Sequence, residues 1–158
     1  MDLGLGGRGY LLTGASRGLG LAAAQALVAD GARVLVSSRS AGAVETAVAS
    51  LGGAPAAHGL AADLTAPDTG ERLVAAARDR LGRVDGALVS VGGPAPGTVL
   101  DTPEQDWRDG VESVLLGPLR LVRALVPHLG DGAVAASPAA PYVTGTTVAV
   151  DGGRLRTP

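Results

Sequence analysis

The run Tyr10-Leu11-Leu12-Thr13-Gly14-Ala15-Ser16-Arg17-Gly18-Leu19-Gly20 constrains this chain more than any other stretch. A short apolar segment breaks into three closely spaced glycines and then into an alanine-rich pattern with helical spacing. It predicts a strand, a tight turn and a helix. Gly14, Gly18 and Gly20 let the backbone turn sharply and approach a ligand, and the N-terminus of the helix offers unpaired N–H groups and a positive dipole end. An anion belongs at such a turn, a pyrophosphate above all. In a chain with 25 glycines the same triplet also reads as a flexible loop, so its meaning depends on what the rest of the chain supplies.

The rest alternates strand-like and helical segments. A buried strand over 9–13 leads to a helix over 18–30 with Gly31 at its C-terminal cap. A second strand over 33–37 precedes a helix over 41–51 that Ser40 can cap and Gly52-Gly53 ends. A weaker strand over 56–60 is followed by the helix start Thr65, Pro67 and Asp68, a helix over 71–81 and Gly82 as its stop. A strand over 84–91 runs into Gly92-Gly93-Pro94. Thr102, Pro103 and Gln105 then form a capping box for a long helix reaching Val126, with a kink at Pro118 and Trp107 as a packing anchor in its first turn. Four βα units in succession imply a parallel sheet with helices on both faces and right-handed crossovers. The expected fold class is α/β, a Rossmann-like parallel sheet of five to six strands in one domain, truncated in its C-terminal half.

Composition narrows the function classes. At 158 residues the chain is one domain, with an aliphatic core, since it has no Phe, one Trp and two Tyr. A net charge of −2 without basic clusters or aromatic platforms argues against a nucleic-acid surface. The absence of Cys removes disulfides and thiolate chemistry, and a cytoplasmic setting fits. The most apolar later window carries Arg120, Arg123 and His128, so neither a membrane span nor a signal peptide is expected. His58 and His128 are read as structural, and no metal site is expected. All 13 basic residues are Arg, and there is no Lys.

In a doubly wound sheet the first glycine turn holds a dinucleotide pyrophosphate, and the end of the second strand reads the ribose. That second position is Ser37-Ser38-Arg39-Ser40 here. An Asp or Glu there would take a 2′-hydroxyl; small hydroxyl side chains beside Arg39 leave room and counter-charge for a 2′-phosphate. NADP(H) is therefore favoured over NAD(H), with Arg17 able to reach the same phosphate and a solvated surface charge as the competing account of Arg39. Asp63 either accepts from an adenine amino group or caps the turn that follows it.

These residues resemble the short-chain dehydrogenase/reductase family. Thr13 to Gly20 is similar to its T-G-x-x-x-G-x-G cofactor motif, with the Ser16 and Arg17 placements of NADP-preferring members. Asp63-Leu64 resembles the adenine-contact pair. Ser90-Val91-Gly92-Gly93 stands where the family has N-N-A-G, and Tyr142-Val143-Thr144-Gly145 with Val148 to Gly153 resembles its closing segment. The likeness is to a 3-oxoacyl-[acyl-carrier-protein] reductase-like member with an internal deletion. It implies a nicotinamide cofactor, NADP(H), held by Gly14, Ser16, Arg17, Gly18, Leu19, Gly20, Ser38, Arg39, Asp63, Leu64, Ser90 and Gly92, and carbonyl reduction or alcohol oxidation.

The resemblance does not supply the chemistry that hydride transfer needs. The alkoxide left by hydride delivery must be protonated. The family uses a Tyr with a Lys four residues on, a Ser and an Asn. Here Tyr142 is followed by Thr146, Val114 takes the Asn position, and Ser137 is followed by Pro138, so no catalytic residue is assigned. Strand-like runs at 132–136 and 146–150 are separated by only nine residues, short for a parallel crossover. A strained crossover, an antiparallel last strand and donation of that strand to another subunit all remain open. Apolar positions Val111, Leu115, Leu119 and Val122 on the long helix 103–126 need a cover, so a homo-oligomer through that helix or the last strand is expected. Three functions follow from the sequence: an NADP(H)-dependent reductase, a non-catalytic dinucleotide-binding regulatory or partner subunit, and a deletion product without a role.

Overall fold

The computed structural model describes residues 4–93, 96–129 and 134–136. Ser137, Tyr142 and the expected strand over 146–150 lie outside them. Five parallel strands form one sheet: β1 (Gly9–Thr13), β2 (Arg33–Ser38), β3 (Ala57–Ala61), β4 (Gly86–Leu88) and β5 (Val134–Ala136), in the spatial order β3-β2-β1-β4-β5. The helices are α1 (Gly18–Ala29), α2 (Ala41–Ser50), α3 (Thr69–Leu81), α4 (Glu104–Val111) and α5 (Gly117–Leu125).

Side-chain alternation divides the core into two layers. Leu11 and Leu35 point to one face, where Leu73, Val74, Ala77 and Leu81 of α3 and Leu121 and Leu125 of α5 cover them. Leu12, Val34 and Val36 point to the other, against Ala24 of α1 and Val44 and Ala47 of α2. Helices thus cover both faces, and β1 and β2, buried on both sides, read as continuous apolar runs for that reason. Ser40 caps α2, its hydroxyl oxygen accepting from the Ala43 N–H at 3.3 Å. Gly82 ends α3 at φ +75°, in the left-handed region that favours glycine.

The second half departs from the sequence reading in four places. β4 has three residues rather than the eight of 84–91, because beyond Leu88 the Thr13 side chain replaces the backbone ladder. Its Oγ1 donates to the Ser90 carbonyl at 2.8 Å and accepts from the Ser90 N–H at 3.0 Å. The capping box at 102–105 is not formed. The Thr102 hydroxyl donates to the Thr98 carbonyl at 2.7 Å, Gln105 donates to Asp109 at 2.8 Å, and Pro103 stands at the N-cap without a side-chain bond. The long helix is not continuous: a π turn, Glu112–Leu116, separates α4 from α5. Pro118 explains it. Its ring has no N–H for the Val114 carbonyl and would clash with it one turn back, and the wider turn, closed by the Gly117 N–H on the Glu112 carbonyl, relieves both. Glu112 and Arg120 pair across this turn. Finally, Trp107 is 50% exposed and is not buried in the core as a packing anchor among the described residues, and α4 has no buried residue there.

Candidate functional site

The order β3-β2-β1-β4 reverses direction at β1, so a crevice opens beyond the carboxyl ends of β1 and β4, where doubly wound sheets bind ligands. The Thr13–Ser90 bonds hold these two strand ends together. Thr13 is 2% exposed, and a hydroxyl at the end of an apolar strand was the sequence signal for a role that sequence reasoning did not assign to it.

The glycine turn sits in this crevice. Gly14 adopts φ +60°, and a Cβ on it would stand 2.7 Å from the Ser90 carbonyl oxygen. A Cβ on Gly20 would stand 2.6 Å from the Gly14 carbonyl oxygen and 2.8 Å from the Ala15 Cα. Both glycines are required by close backbone approach. Gly18 differs: at φ +58° it has nothing within 4 Å of its Cβ position, so its conformation needs glycine while the space beside it stays open. The Ala15 N–H donates to the Ser37 carbonyl at 3.1 Å, which ties the turn to the end of β2. Ser16 is half-buried, and Arg17, extended at φ −162°, stands at the N-cap of α1. No acidic residue occupies the first turn of α1, so its N–H groups and dipole face no competing carboxylate. Leu19 is 80% exposed beside them.

The remaining candidates line the same edge. Ser38 ends β2, its hydroxyl 3.5 Å from the Ser40 carbonyl, and Arg39 is exposed after it. Neither the Arg17 nor the Arg39 guanidinium makes a hydrogen bond or a short ion pair among the described residues; the Arg17 carbonyl accepts from the Leu21 N–H at 3.3 Å. The Ala62 N–H donates to the Ser38 carbonyl at 2.9 Å, which brings Asp63 beside this pair. Asp63 caps its own turn: Oδ1 accepts from the Thr65 N–H at 3.0 Å and from the Thr65 hydroxyl at 2.9 Å, while Oδ2 has no hydrogen bond among the described residues. The Thr65 backbone bond holds the Asp63 carboxyl below the usual carboxylate range, against slight burial, with help from the Thr65 hydroxyl and the Arg39 charge. That Arg39 field places both residues in one neighbourhood. Leu64 is half-buried behind them; Ser90 is half-buried and Gly92 exposed at the end of β4.

These features fit a dinucleotide: a cradle that a Cβ would fill at Gly14 and Gly20, open space at Gly18, an uncontested helix N-terminus and two uncommitted guanidinium groups. Two cavities of about 310 Å³ lie elsewhere, one between α3 and the end of α5, the other between the end of α3, the loop over 82–85 and His128. In the first, Arg78 and Arg123 each stand in the last turn of a helix, where they complement its dipole, and Glu71 shares the cavity; in the second, Arg83 pairs with Asp85. Among the described residues no group of three or more His, Cys, Asp or Glu could hold a metal, and no helix is long and apolar enough to cross a membrane.

Fold and site together define a doubly wound α/β domain of the dinucleotide-binding class. The chain belongs to the short-chain dehydrogenase/reductase family: the short chain dehydrogenase family model matches residues 9–136. It is 34% identical over 127 residues to human dehydrogenase/reductase SDR family member 2, mitochondrial, a match covering 79% of this chain and 45% of that protein. Among solved structures it resembles a short chain dehydrogenase from Burkholderia cenocepacia in complex with NADP, with a TM-score of 0.77 and 28% identity over 84% of this chain and 55% of that one. It also resembles a 3-ketoacyl-(acyl-carrier-protein) reductase from Brucella melitensis complexed with NADH, with a TM-score of 0.78 and 26% identity over 84% and 57% of the two chains. The chain spans about half the length of the relatives it matches.

Proposed function

We propose that this chain binds NADP(H) at the carboxyl ends of β1 to β4 and serves the carbonyl reduction or alcohol oxidation of its family. The supporting observation is the exposed Arg39, placed after the hydroxyl residues Ser37 and Ser38 at the end of β2 and within reach of the field at Asp63. Residues 37–40 include no carboxylate to accept from a ribose 2′-hydroxyl, and a guanidinium fork matches a 2′-phosphate. Structures of the family hold NADP in one case and NADH in another, so this position, rather than the fold, carries the preference.

The roles divide along the edge. Gly14, Gly18 and Gly20 let the backbone approach the pyrophosphate, the N–H groups of α1 bind it, and Ser16, Arg17, Ser38 and Arg39 hold the adenosine phosphate. Asp63 and Leu64 border the adenine. Leu19, Ser90 and Gly92 flank the half that leads to the nicotinamide. When bound, the nicotinamide would donate the hydride in carbonyl reduction or accept it in alcohol oxidation. We assign no residue of this chain to protonating the alkoxide, because the sequence contains no Lys to lower the pKa of a Tyr. The exposed stripe of the long helix 103–126 supports assembly into a homo-oligomer, with Val111 at 49%, Leu115 at 51% and Leu119 at 47% exposure, while Val122 is half-buried against α3. The cofactor assignment is tested by fluorescence titration of NADPH and NADH. Wild type should prefer NADPH by about tenfold or more, and Arg39→Asp should abolish or reverse the preference. Equal affinities in both proteins would refute it.

A further inference from the structure

The backbone of α5 makes two unusually close approaches to the rest of the molecule, one on either side of the seam with α3. A Cβ on Gly70 of α3 would stand 3.0 Å from the Arg120 carbonyl oxygen. A Cβ on Gly117, the first residue of α5, would stand 2.5 Å from the Leu64 carbonyl oxygen, 3.0 Å from its carbonyl carbon and 3.1 Å from its Cβ. The two glycines differ in what they touch. Gly70 meets another helix, whereas Gly117 meets the turn that presents Asp63.

That turn is fastened on its other sides. The Ala62 N–H holds it to the end of β2 through the Ser38 carbonyl at 2.9 Å. From α3 below, the fully buried Thr69 donates its hydroxyl to the Asp63 carbonyl at 2.7 Å. The Ala66 N–H donates to the same carbonyl at 3.1 Å, and Thr65 fixes the carboxylate itself. Gly117 closes the remaining side with bare backbone, and it can do so because the π turn at 112–116 delivers the helix there with no side chain between.

We propose that Gly117 is a positioning residue: its backbone seats the 63–65 turn and so couples the geometry of the α4–π–α5 helix to the affinity for the adenine end of the cofactor. The inference rests on the NADP(H) reading above. The obstacle to a side chain at Gly117 is main chain, which cannot swing aside. Gly117→Ala must therefore part helix and turn until the 2.5 Å separation reaches the 3.4 Å of ordinary contact, and Asp63 moves with the turn. Gly70→Ala crowds the same pair of helices, with Arg120 and Leu121 rather than any atom of the turn as the nearest neighbours of its Cβ, which makes it the control.

The probe is 2′,5′-ADP, the adenine half of NADP without the nicotinamide, titrated calorimetrically alongside thermal unfolding. Gly117→Ala should weaken its binding by about tenfold or more, and Gly70→Ala should change it less than about twofold even where both lower the melting temperature. Unchanged affinity in a folded Gly117→Ala protein would overturn the proposal. Failure of wild type to bind 2′,5′-ADP would overturn the NADP(H) reading and this inference with it. Should Gly117→Ala not fold, hydrogen exchange on wild type decides: 2′,5′-ADP should slow exchange across residues 112–118, and unaltered exchange there would overturn the coupling.

Discussion

Replacing Thr13 by Val tests how the ends of β1 and β4 are held together at the crevice. Valine matches threonine in volume, so no cavity forms and only the hydroxyl is lost. That hydroxyl serves both the carbonyl and the N–H of Ser90, at 2.8 and 3.0 Å, from a side chain that is 2% exposed. Two main-chain groups are left without partners, each costing about 1–3 kcal/mol when fully buried. Ser90 is half-buried and can recover part of its hydration, so the expected loss is about 2–3 kcal/mol for the pair. In a domain of this size that corresponds to a fall in melting temperature of roughly 5–10 °C. Urea unfolding followed by circular dichroism measures it, with the slope unchanged and the midpoint lowered. Thr13→Ser, which keeps the oxygen, should lose no more than about 1 kcal/mol. A loss below about 0.5 kcal/mol for Thr13→Val would refute the claim that this side chain replaces the β1–β4 ladder beyond Leu88.

Other perturbations separate the remaining parts of the account. Gly20→Ala, whose Cβ would stand 2.6 Å from backbone, should abolish NADPH binding in a calorimetric titration. Gly18→Ala, strained at φ +58° but facing open space, should cost about 1–2 kcal/mol of stability in urea unfolding. At the opposite end of the strands, Asp85 Oδ2 accepts from the Gly9 N–H at 2.9 Å and from Arg83 Nε at 2.7 Å. Burial pushes the Asp85 carboxyl up, but Arg83, the Gly9 N–H and the Arg8 charge together hold it below its ordinary value of 3.8. A depressed carboxyl stabilises the fold above that value and loses its contribution as pH falls through the lower folded value. Asp85→Asn should therefore cost about 1 kcal/mol at pH 7, since Arg83 is exposed, and the gap to wild type should narrow in acid below pH 3.8. Leu115→Glu on the exposed stripe should convert an oligomer to monomer by light scattering; a monomeric wild type would refute assembly through that face.

The first half of the fold was legible because its signals are local. Apolar runs, the Ser40 cap and the helix stop at Gly82 each act within a few residues, and the structure uses them as read, whereas the close approach at Gly14 is to Ser90, far along the chain. The failures involve distant partners. Nothing near Ser90 reveals that a hydroxyl 77 residues earlier takes its main-chain groups and ends β4 at Leu88. Trp107 has the size of a packing anchor, yet among the described residues it stays half exposed. Pro118 correctly marked a disturbed helix, but the expected kink is a π turn over Glu112–Leu116. At the candidate site, the strand–turn–helix shape around Gly14–Gly20 and the exposed place of Arg39 after β2 were readable from spacing alone. The clamp at Thr13 and the seat at Gly117 required the fold, because both work by closing gaps between elements far apart in the chain.

The central claim is that the Gly14–Gly20 turn, the N-terminus of α1 and Arg39 together make an NADP(H) site. Isothermal titration of wild-type protein with NADPH tests it most directly. Saturable binding of one NADPH per chain, weakened by Gly20→Ala and by Arg39→Asp, is the expected result. No heat of binding up to millimolar NADPH would contradict it.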